Sequence, residues 1–298
     1  MFKNVLVGVE GGPHGRDALA LASRLVDDAG KLTLVNVFSG STRPIDAVTP
    51  GMVEEDRARA RALLEQEREA APEGAELLPV DASRPGEGLH LAAERLEADL
   101  LVVGSSRRGP FKRVLLGDDT RASLNGAPCA VAVAPAGYGE HAAPFASIGV
   151  AYDGSPESLA ALEAARELAG RTHAEVRALQ VVAVSYYEYM GMMAPAGGGI
   201  DELVKGADQR MKSLPGVVGR AEYGLAGEEL AAFSGEVDLL IVGSRNYGPA
   251  RRMMVGSTSN HLQRHARGPL LILPRGTPQA VPAAAAAEPP SERAPVSA

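Results

Sequence analysis

The chain has 298 residues, 45% of them hydrophobic, which is enough for two domains of ordinary size that each bury a core. Its formal net charge of −7 provides no attraction to a polyanion such as nucleic acid. A lone cysteine, Cys129, excludes an internal disulfide framework. The sequence shows neither a signal peptide nor an apolar run that could cross a bilayer. A soluble, cytoplasmic protein is therefore expected.

The first half alternates short apolar runs with amphipathic helical patterns. Strands are predicted at residues 4–9, 32–38, 77–80, 99–103 and 129–134, and helices at 13–30, 53–70, 86–97 and 117–125. This βαβαβαβαβ order predicts a parallel sheet with right-handed crossovers and helices on both faces.

The second half repeats the plan. Strands are predicted at residues 147–152, 175–184, 219–223, 237–242 and 269–273, with helices at 156–169, 201–214, 227–233 and from 256 onward. Residues 185–200 are rich in tyrosine, methionine and glycine, and we interpret them as a mobile loop that covers a site, faces a partner or is merely flexible. The expected domains are 1–138 and 146–276, with a linker at 139–145 and a disordered Ala/Pro-rich tail at 277–298.

The two halves also correspond residue by residue. The run from Asp99 to Pro110 matches the run from Asp238 to Pro249. Gly104 and Gly243 are 139 positions apart, and so are Gly117 and Gly256. A period this long indicates a duplicated domain rather than a solenoid repeat.

A candidate phosphate-binding segment follows the strand at 237–242. Gly243 ends this strand, a polar loop with Arg245 comes next, and Gly256 then opens a helix whose first residues are Ser257, Thr258 and Ser259. Backbone N–H groups at such a helix start can receive an anion. Strand, glycine turn, basic loop and hydroxyl-rich helix start therefore predict a phosphate cradle.

With these residues in this order, each half resembles the universal stress protein family. The resemblance covers about residues 3–135 and 146–275. It implies two doubly wound five-stranded parallel sheets of the adenine nucleotide alpha hydrolase-like type, with strand order 3-2-1-4-5. The family signature after the fourth strand is Gly, two residues, Gly, nine residues, Gly, then Ser or Thr. Members that keep it bind ATP, and others bind no nucleotide.

The second half keeps most of this signature, with Asn246 in place of the middle glycine. The resemblance implies that Asp153 accepts a hydrogen bond from ribose, that Val182 holds adenine, and that Gly243 lets the loop pass close to the ligand. The site expected for ATP, with or without Mg²⁺, comprises Asp153, Gly154, Val182, Gly243, Ser244, Arg245, Asn246, Gly256, Ser257, Thr258 and Ser259.

The first half departs further from the signature. Glu10 replaces the strand-one aspartate, Arg107 replaces the middle glycine, and Asp118-Asp119 replace the hydroxyl residues. A carboxylate about 4 Å from a phosphate repels it by about 4 kcal/mol at an effective dielectric constant of about 20. We therefore predict that the first half binds ATP much more weakly than the second, or not at all.

No nucleophile–base pair or Walker-type lysine stands out, so we expect a nucleotide-binding regulatory or stress-response protein rather than an enzyme, with slow hydrolysis if any. The alternatives are a nucleotide-free interaction module and an enzyme on the same fold. His261 and His265 lie four residues apart without an evident third ligand, which disfavours a metal site. The resemblance implies that the halves pair as a pseudo-dimer through their fifth strands or nearby faces, and the sequence leaves open whether two chains associate.

Overall fold

A computed structural model describes residues 1–40, 51–105, 125–183, 199–244 and 257–274. In these ranges the chain forms one ten-stranded sheet with helices on both faces. In each half the first strand is flanked by the second and then the third strand on one side and by the fourth and then the fifth on the other, which is the predicted order 3-2-1-4-5. The prediction of two tandem, doubly wound α/β halves is confirmed.

In the first half, strands and helices follow the predicted alternation. The strands are β1 (Phe2–Gly8), β2 (Val26–Phe38), β3 (Glu76–Asp81), β4 (Leu100–Gly104) and β5 (Ala130–Ala134). The helices are α1 (Pro13–Leu25), α2 (Met52–Arg68) and α3 (Pro85–Arg95). The helix predicted at 117–125 lies outside the described residues except at its last position.

The second half repeats this arrangement. Its strands are β6 (Ser147–Ala151), β7 (Glu175–Ala183), β8 (Val218–Gly224), β9 (Leu239–Gly243) and β10 (Leu270–Leu273). Its helices are α4 (Pro156–Thr172), α5 (Ile200–Lys212), α6 (Ala226–Phe233) and α7 (Ser257–His265). Residues 185–198 of the expected loop, residue 184 of the predicted strand and the predicted tail lie outside the described residues.

The two halves join through their fifth strands. β5 and β10 pair antiparallel, with Leu271 opposite Ala132, whereas strands within each half run parallel. Every strand of one half therefore runs opposite to every strand of the other. The carboxyl edges of the two halves consequently lie on opposite edges of the continuous sheet, and a ligand at one edge is separated from a ligand at the other.

The central strands are buried because helices cover both of their faces. Alternate residues of β4 show this: Leu100 and Val102 belong to one core cluster, and Leu101 and Val103 to the other. Both clusters contain residues from both halves, so the hydrophobic core is continuous across the β5–β10 junction. Cys129 is buried in the second cluster, and burial raises the pKa of its thiol to about 12, as expected for an inert cysteine.

The prediction that the first helix extends to Gly30 is wrong. α1 ends at Leu25, and Val26 already pairs with Phe2 of β1. The next paired position is Asn4 with Lys31, so the ladder is irregular between these two points. Valine and aspartate are weak helix formers, and the Val26-Asp27-Asp28 segment follows the strand instead because tertiary pairing is available to it.

Polar contacts reinforce the junction between the halves. The Arg171 guanidinium of α4 donates to the Val26 carbonyl at 2.8 Å, and Arg24 of α1 donates to the Ala142 carbonyl at 2.8 Å. The buried Asp17 carboxylate accepts hydrogen bonds from the amides of Gly137 and Gly139, at 2.9 and 2.8 Å. The segment that connects the halves is thus anchored on the first helix.

The aspartate repeated before the fourth strand has a structural role in both halves. Asp99 accepts from the amides of Lys3 and Asn4, and Asp238 accepts from the amide of Ser147 at 2.8 Å. Each carboxylate therefore satisfies amides at the start of the first strand of its half. Its recurrence in the two halves carries no information about a ligand.

Within the residues described, no helix combines the length and apolar character needed to cross a membrane.

Candidate functional site

A cleft of about 180 Å³ opens at the carboxyl edge of the second half. It lies beside β6 and β9, between which the strand order reverses, and this is where doubly wound sheets bind ligands. Among the described residues, its lining comes from the β6–α4 turn, β7, α6, the end of β9 and the start of α7: Ala151, Tyr152, Asp153, Ser155, Glu157, Ser158, Leu179, Val181, Ala183, Ala226, Leu230, Val242, Gly243, Ser257, Thr258 and Ser259.

The turn after β6 presents Asp153 at the mouth of this cleft. The Asp153 carboxylate accepts a hydrogen bond from the Ser155 amide at 3.0 Å, which fixes the aspartate relative to the turn. Gly154 has a φ of +78°, a left-handed conformation that favours glycine, and a β-carbon at this position would meet no atom within 4 Å. The predicted Asp153-Gly154 pair is therefore an open, conformationally defined turn.

Ser155 caps the helix that follows. Its hydroxyl accepts a hydrogen bond from the Ser158 amide at 3.2 Å, and the Ser158 hydroxyl donates to the Ser155 carbonyl at 3.0 Å. Pro156 occupies the first helical position, which suits its fixed φ. These contacts hold the β6–α4 turn, and with it Asp153, on a rigid helix start.

Gly243 ends β9 at the floor of the cleft. A β-carbon there would lie 2.7 Å from the Glu157 β-carbon and 2.8 Å from the Glu157 carbonyl oxygen. The equivalent Gly104 is equally constrained, because its β-carbon would lie 2.1 Å from the His14 carbonyl oxygen. Both glycines are therefore required by packing against the first turn of α4 or α1, whether or not a ligand binds.

The start of α7 contributes three hydroxyl side chains to the cleft. Ser257, Thr258 and Ser259 all line the cleft, and Ser259 is buried while Ser257 is exposed. Ser244, also expected at the site, is fully buried and its amide donates to the Leu273 carbonyl at 2.9 Å, so it is tied to β10. Three other expected residues, Arg245, Asn246 and Gly256, lie outside the described ranges.

The apolar wall comes from β7 and α6. Val181 and Ala183 line the cleft, and Val182 lies between them in β7. Because side chains alternate along a strand, the Val182 side chain lies on the other face of the sheet, and only its backbone faces the cleft edge. Leu179, Ala226 and Leu230 complete this wall.

Several lining residues escaped the sequence reasoning. Tyr152 and Glu157 flank the expected aspartate and its turn, and Ala226 and Leu230 come from a helix without any motif of its own. The period-two pattern of β7 would have favoured Val181 and Ala183 over Val182, had the sheet face been known. The α6 residues carried no comparable sequence signal.

Two histidines of α7 and a glutamate of α6 form a titratable cluster. The His261 and His265 rings stack with their centroids 4.1 Å apart, and His261 Nε2 lies 3.4 Å from the Glu228 carboxylate. Burial lowers the pKa of His261. Across the described ranges, no group of three or more metal-ligating side chains is assembled.

The corresponding turn of the first half is covered. Gly11 has a φ of +79°, like Gly154, but a β-carbon there would lie 2.7 Å from Leu63 of α2. Helix α1 also lacks a side-chain cap, since Gly12 occupies the position of Ser155. Arg107 and Asp118-Asp119, on which the predicted weakness of this half rests, lie outside the described residues.

Two doubly wound parallel sheets, each built on the 3-2-1-4-5 order and joined through their fifth strands, define a tandem pair of α/β domains of the kind that bind ligands at a carboxyl edge. The family model of the universal stress protein family matches residues 1–135 and 144–274. The chain therefore belongs to the universal stress protein family as a tandem two-domain member.

Individual relatives agree with this assignment. Universal stress protein Rv2005c of Mycobacterium tuberculosis is 30% identical over 184 residues, which cover 59% of this chain and 62% of that protein. The match thus spans about three fifths of the length of this curated relative. Universal stress protein Rv2319c of the same organism is 26% identical over 199 residues, covering 63% of this chain and 68% of that protein.

Solved structures share the fold. The crystal structure of a universal stress protein from Archaeoglobus fulgidus aligns with a TM-score of 0.63 at 18% identity, covering 92% of this chain and 98% of that one. A universal stress protein from Pseudomonas aeruginosa aligns with a TM-score of 0.58 at 16% identity, covering 92% and 94%.

Proposed function

We propose that this universal stress protein is a regulatory protein that binds ATP, with or without Mg²⁺, in the cleft of its second half. The observation that carries the proposal is an open cleft on which Asp153, the Gly243 backbone and the hydroxyls of α7 converge. The site would include the expected residues outside the described ranges, Arg245, Asn246 and Gly256.

The chemistry of the lining is divided in the way a nucleotide requires. The side chains of Leu179, Val181 and Leu230 form an apolar wall that suits a base, and the backbone of Val182 runs along the same edge. Ser257 and Thr258 supply hydroxyls and backbone amides at a helix start, where the partial positive charge of the helix favours phosphate. Asp153 lines the same cleft and would accept a hydrogen bond from a ribose hydroxyl.

Unequal binding by the two halves is part of this proposal. The turn at Gly154 is open, whereas the Leu63 side chain packs onto the turn at Gly11 and would have to move before a ribose could approach that turn. Asp118-Asp119, which stand in place of the hydroxyl residues, would add repulsion toward phosphate. We also propose a regulatory rather than enzymatic role, with any ATP hydrolysis slow.

The test is to unfold freshly purified protein and identify released nucleotide by chromatography, with Ser257→Asp as the main variant. This substitution gives the second half the acidic residue that the first half has at the same position, Asp118. It also favours the helix start electrostatically, so the fold is expected to persist. We expect about one ATP per chain from the unmodified protein and at least a tenfold loss of ATP affinity in the variant.

The matched control is Asn260→Asp, which adds the same charge to an exposed position one turn further along α7. Retained binding there separates a local effect on phosphate from a general effect of charge. Unchanged ATP affinity in Ser257→Asp would contradict the proposed site. Absence of nucleotide, together with no binding of added ATP, would assign the protein to the nucleotide-free interaction modules instead.

A further inference from the structure

The outer strand of the second half has an edge with an unusual self-complementarity. β8 stands at one end of the ten-stranded sheet, and in the described part of the chain only β7 pairs with it. The opposite end of the sheet is β3, whose edge carries Pro79 and so lacks one amide donor. β8 has seven residues and no proline, and its Val218 and Tyr223 side chains are 56% and 39% exposed.

The direction of the β8 amides follows from one contact. The Ala221 amide donates to the Asp208 carboxylate of α5 at 3.3 Å and therefore points away from β7. Because successive residues of a strand alternate, the amides of Gly219 and Tyr223 face the same outer side. Three evenly spaced residues thus present their backbone groups at the edge.

Charge is arranged symmetrically around the same residue. Arg220 precedes Ala221 and Glu222 follows it, and within the strand their side chains pair at 2.7 Å. If a second β8 is placed antiparallel with Ala221 opposite Ala221, Arg220 of each copy faces Glu222 of the other. These would be non-hydrogen-bonded pairs, in which facing side chains approach most closely.

We propose that the outer edge of β8 is a self-association surface on which a second copy of this chain pairs antiparallel about a two-fold axis at Ala221. Backbone hydrogen bonds from Gly219, Ala221 and Tyr223 and two reciprocal Arg220–Glu222 ion pairs would hold the pair. Such an interface is isologous, so it closes as a dimer and does not propagate.

Asp208 competes with this pairing. Its carboxylate occupies the central amide, and the ammonium of Lys212, 2.6 Å away, lowers the pKa of Asp208 and keeps it ionised. The contact to Ala221 is long, at 3.3 Å, and comes from a helix side chain rather than from a strand. Asp208 therefore weakens self-association, as edge-covering groups do in other sheets.

The experiment is sedimentation of the full chain over a concentration series, with the variant Asp208→Ala. We expect the dimer dissociation constant to fall about tenfold, because each copy regains one backbone donor for the interface. Lys212→Ala is the control: it removes the helix ion pair but leaves the carboxylate on the amide, so association should not strengthen. A monomeric Asp208→Ala variant that melts as a folded protein would overturn the proposal.

A charge exchange tests the register. In the Asp208→Ala background, Arg220→Glu should weaken the dimer at least about tenfold, and the double change Arg220→Glu with Glu222→Arg should restore it. Arg177→Glu serves as a matched control, because Arg177 pairs with Glu175 two residues away on the inner strand β7, where no edge is available. This register would be excluded if Arg220→Glu left dimerisation unchanged. It would also be excluded if the double change failed to restore dimerisation.

Discussion

At the scale of single residues, the repeated positions divide into structural and ligand-related ones. Asp99 and Asp238 hold strand starts, and Gly104 and Gly243 accommodate a helix turn, so both repeats are explained by packing. The halves differ instead at Gly11 and Gly154. Both glycines have a left-handed backbone, but Leu63 packs against Gly11, whereas a β-carbon at Gly154 would meet no atom within 4 Å.

Glu229 allows a prediction on pH. Burial raises the pKa of Glu229, and the nearby Glu222 carboxylate raises it further. The folded protein therefore holds this proton more tightly than the unfolded chain does. Protonated Glu229 therefore adds to the stability of the fold at a pH below the ordinary glutamate pKa. This contribution is lost as the pH rises through the pKa of Glu229 in the folded protein. At neutral pH the ionised side chain is consequently unfavourable.

We expect Glu229→Gln to raise the melting temperature at about pH 7 and to lose this advantage at about pH 4. Thermal unfolding followed by circular dichroism across this range checks it. Glu236→Gln is the control, because Glu236 pairs with Arg220 at 2.9 Å and its removal should bring no gain at neutral pH. A melting difference that does not change with pH would contradict the assignment.

At the scale of elements, the first helices of the two halves begin differently. α4 starts with a serine cap, a proline and an open left-handed turn, whereas α1 starts at Gly12 without a side-chain cap. α1 is also shorter, 13 residues against 17, because Val26 joins β2. The helix that carries the proposed ribose-binding turn is thus the better anchored one.

Ser155→Ala should lower the free energy of unfolding by about 1 kcal/mol, since the Ser158 amide loses its acceptor. Urea denaturation measures this loss. The converse change, Gly12→Ser, should stabilise α1 by a few tenths of a kcal/mol at most, because glycine is itself a fair cap and a β-carbon there meets no atom within 4 Å. Equal and negligible effects at both positions would show that the caps do not differ.

At the scale of the whole molecule, the β5–β10 junction makes one sheet from two halves. Residues of both halves share each core cluster, and the connecting segment is held on α1 by Asp17. The fifth strands, which would otherwise be edges, are both occupied. Two domains by sequence are therefore expected to behave as one unit in unfolding.

Leu271 in β10 tests this coupling, because it is fully buried opposite Ala132 of the other half. Leu271→Ala should cost about 2–5 kcal/mol and leave a single transition. The urea unfolding curves measured by circular dichroism and by tyrosine fluorescence should coincide. Tyrosine fluorescence can be followed because the chain has no tryptophan. Two separated transitions would mean that the halves unfold independently.

The sequence by itself determined the duplication, the succession of strands and helices and the segments that surround the cleft, because buried parallel strands and their glycine turns leave strong local patterns. Gly243 and Ser257 were identified in this way, whereas Asp153 was expected from the family resemblance. The strand order within each half was also an expectation from the family resemblance, which the sheet confirms. The expected limits of the domains, the cytoplasmic location and the ATP site itself stay predictions.

Tertiary structure alone decided the rest. Whether Val181 or Val182 faces the cleft depends on which sheet face α6 covers, and Ala226 and Leu230 reach the cleft only through the fold. Helix α1 ends early because Val26 pairs with Phe2. The turn at Gly11 is covered because the Leu63 side chain packs against it. Each of these is a contact between segments that are distant in sequence, and local secondary-structure propensity does not predict such contacts.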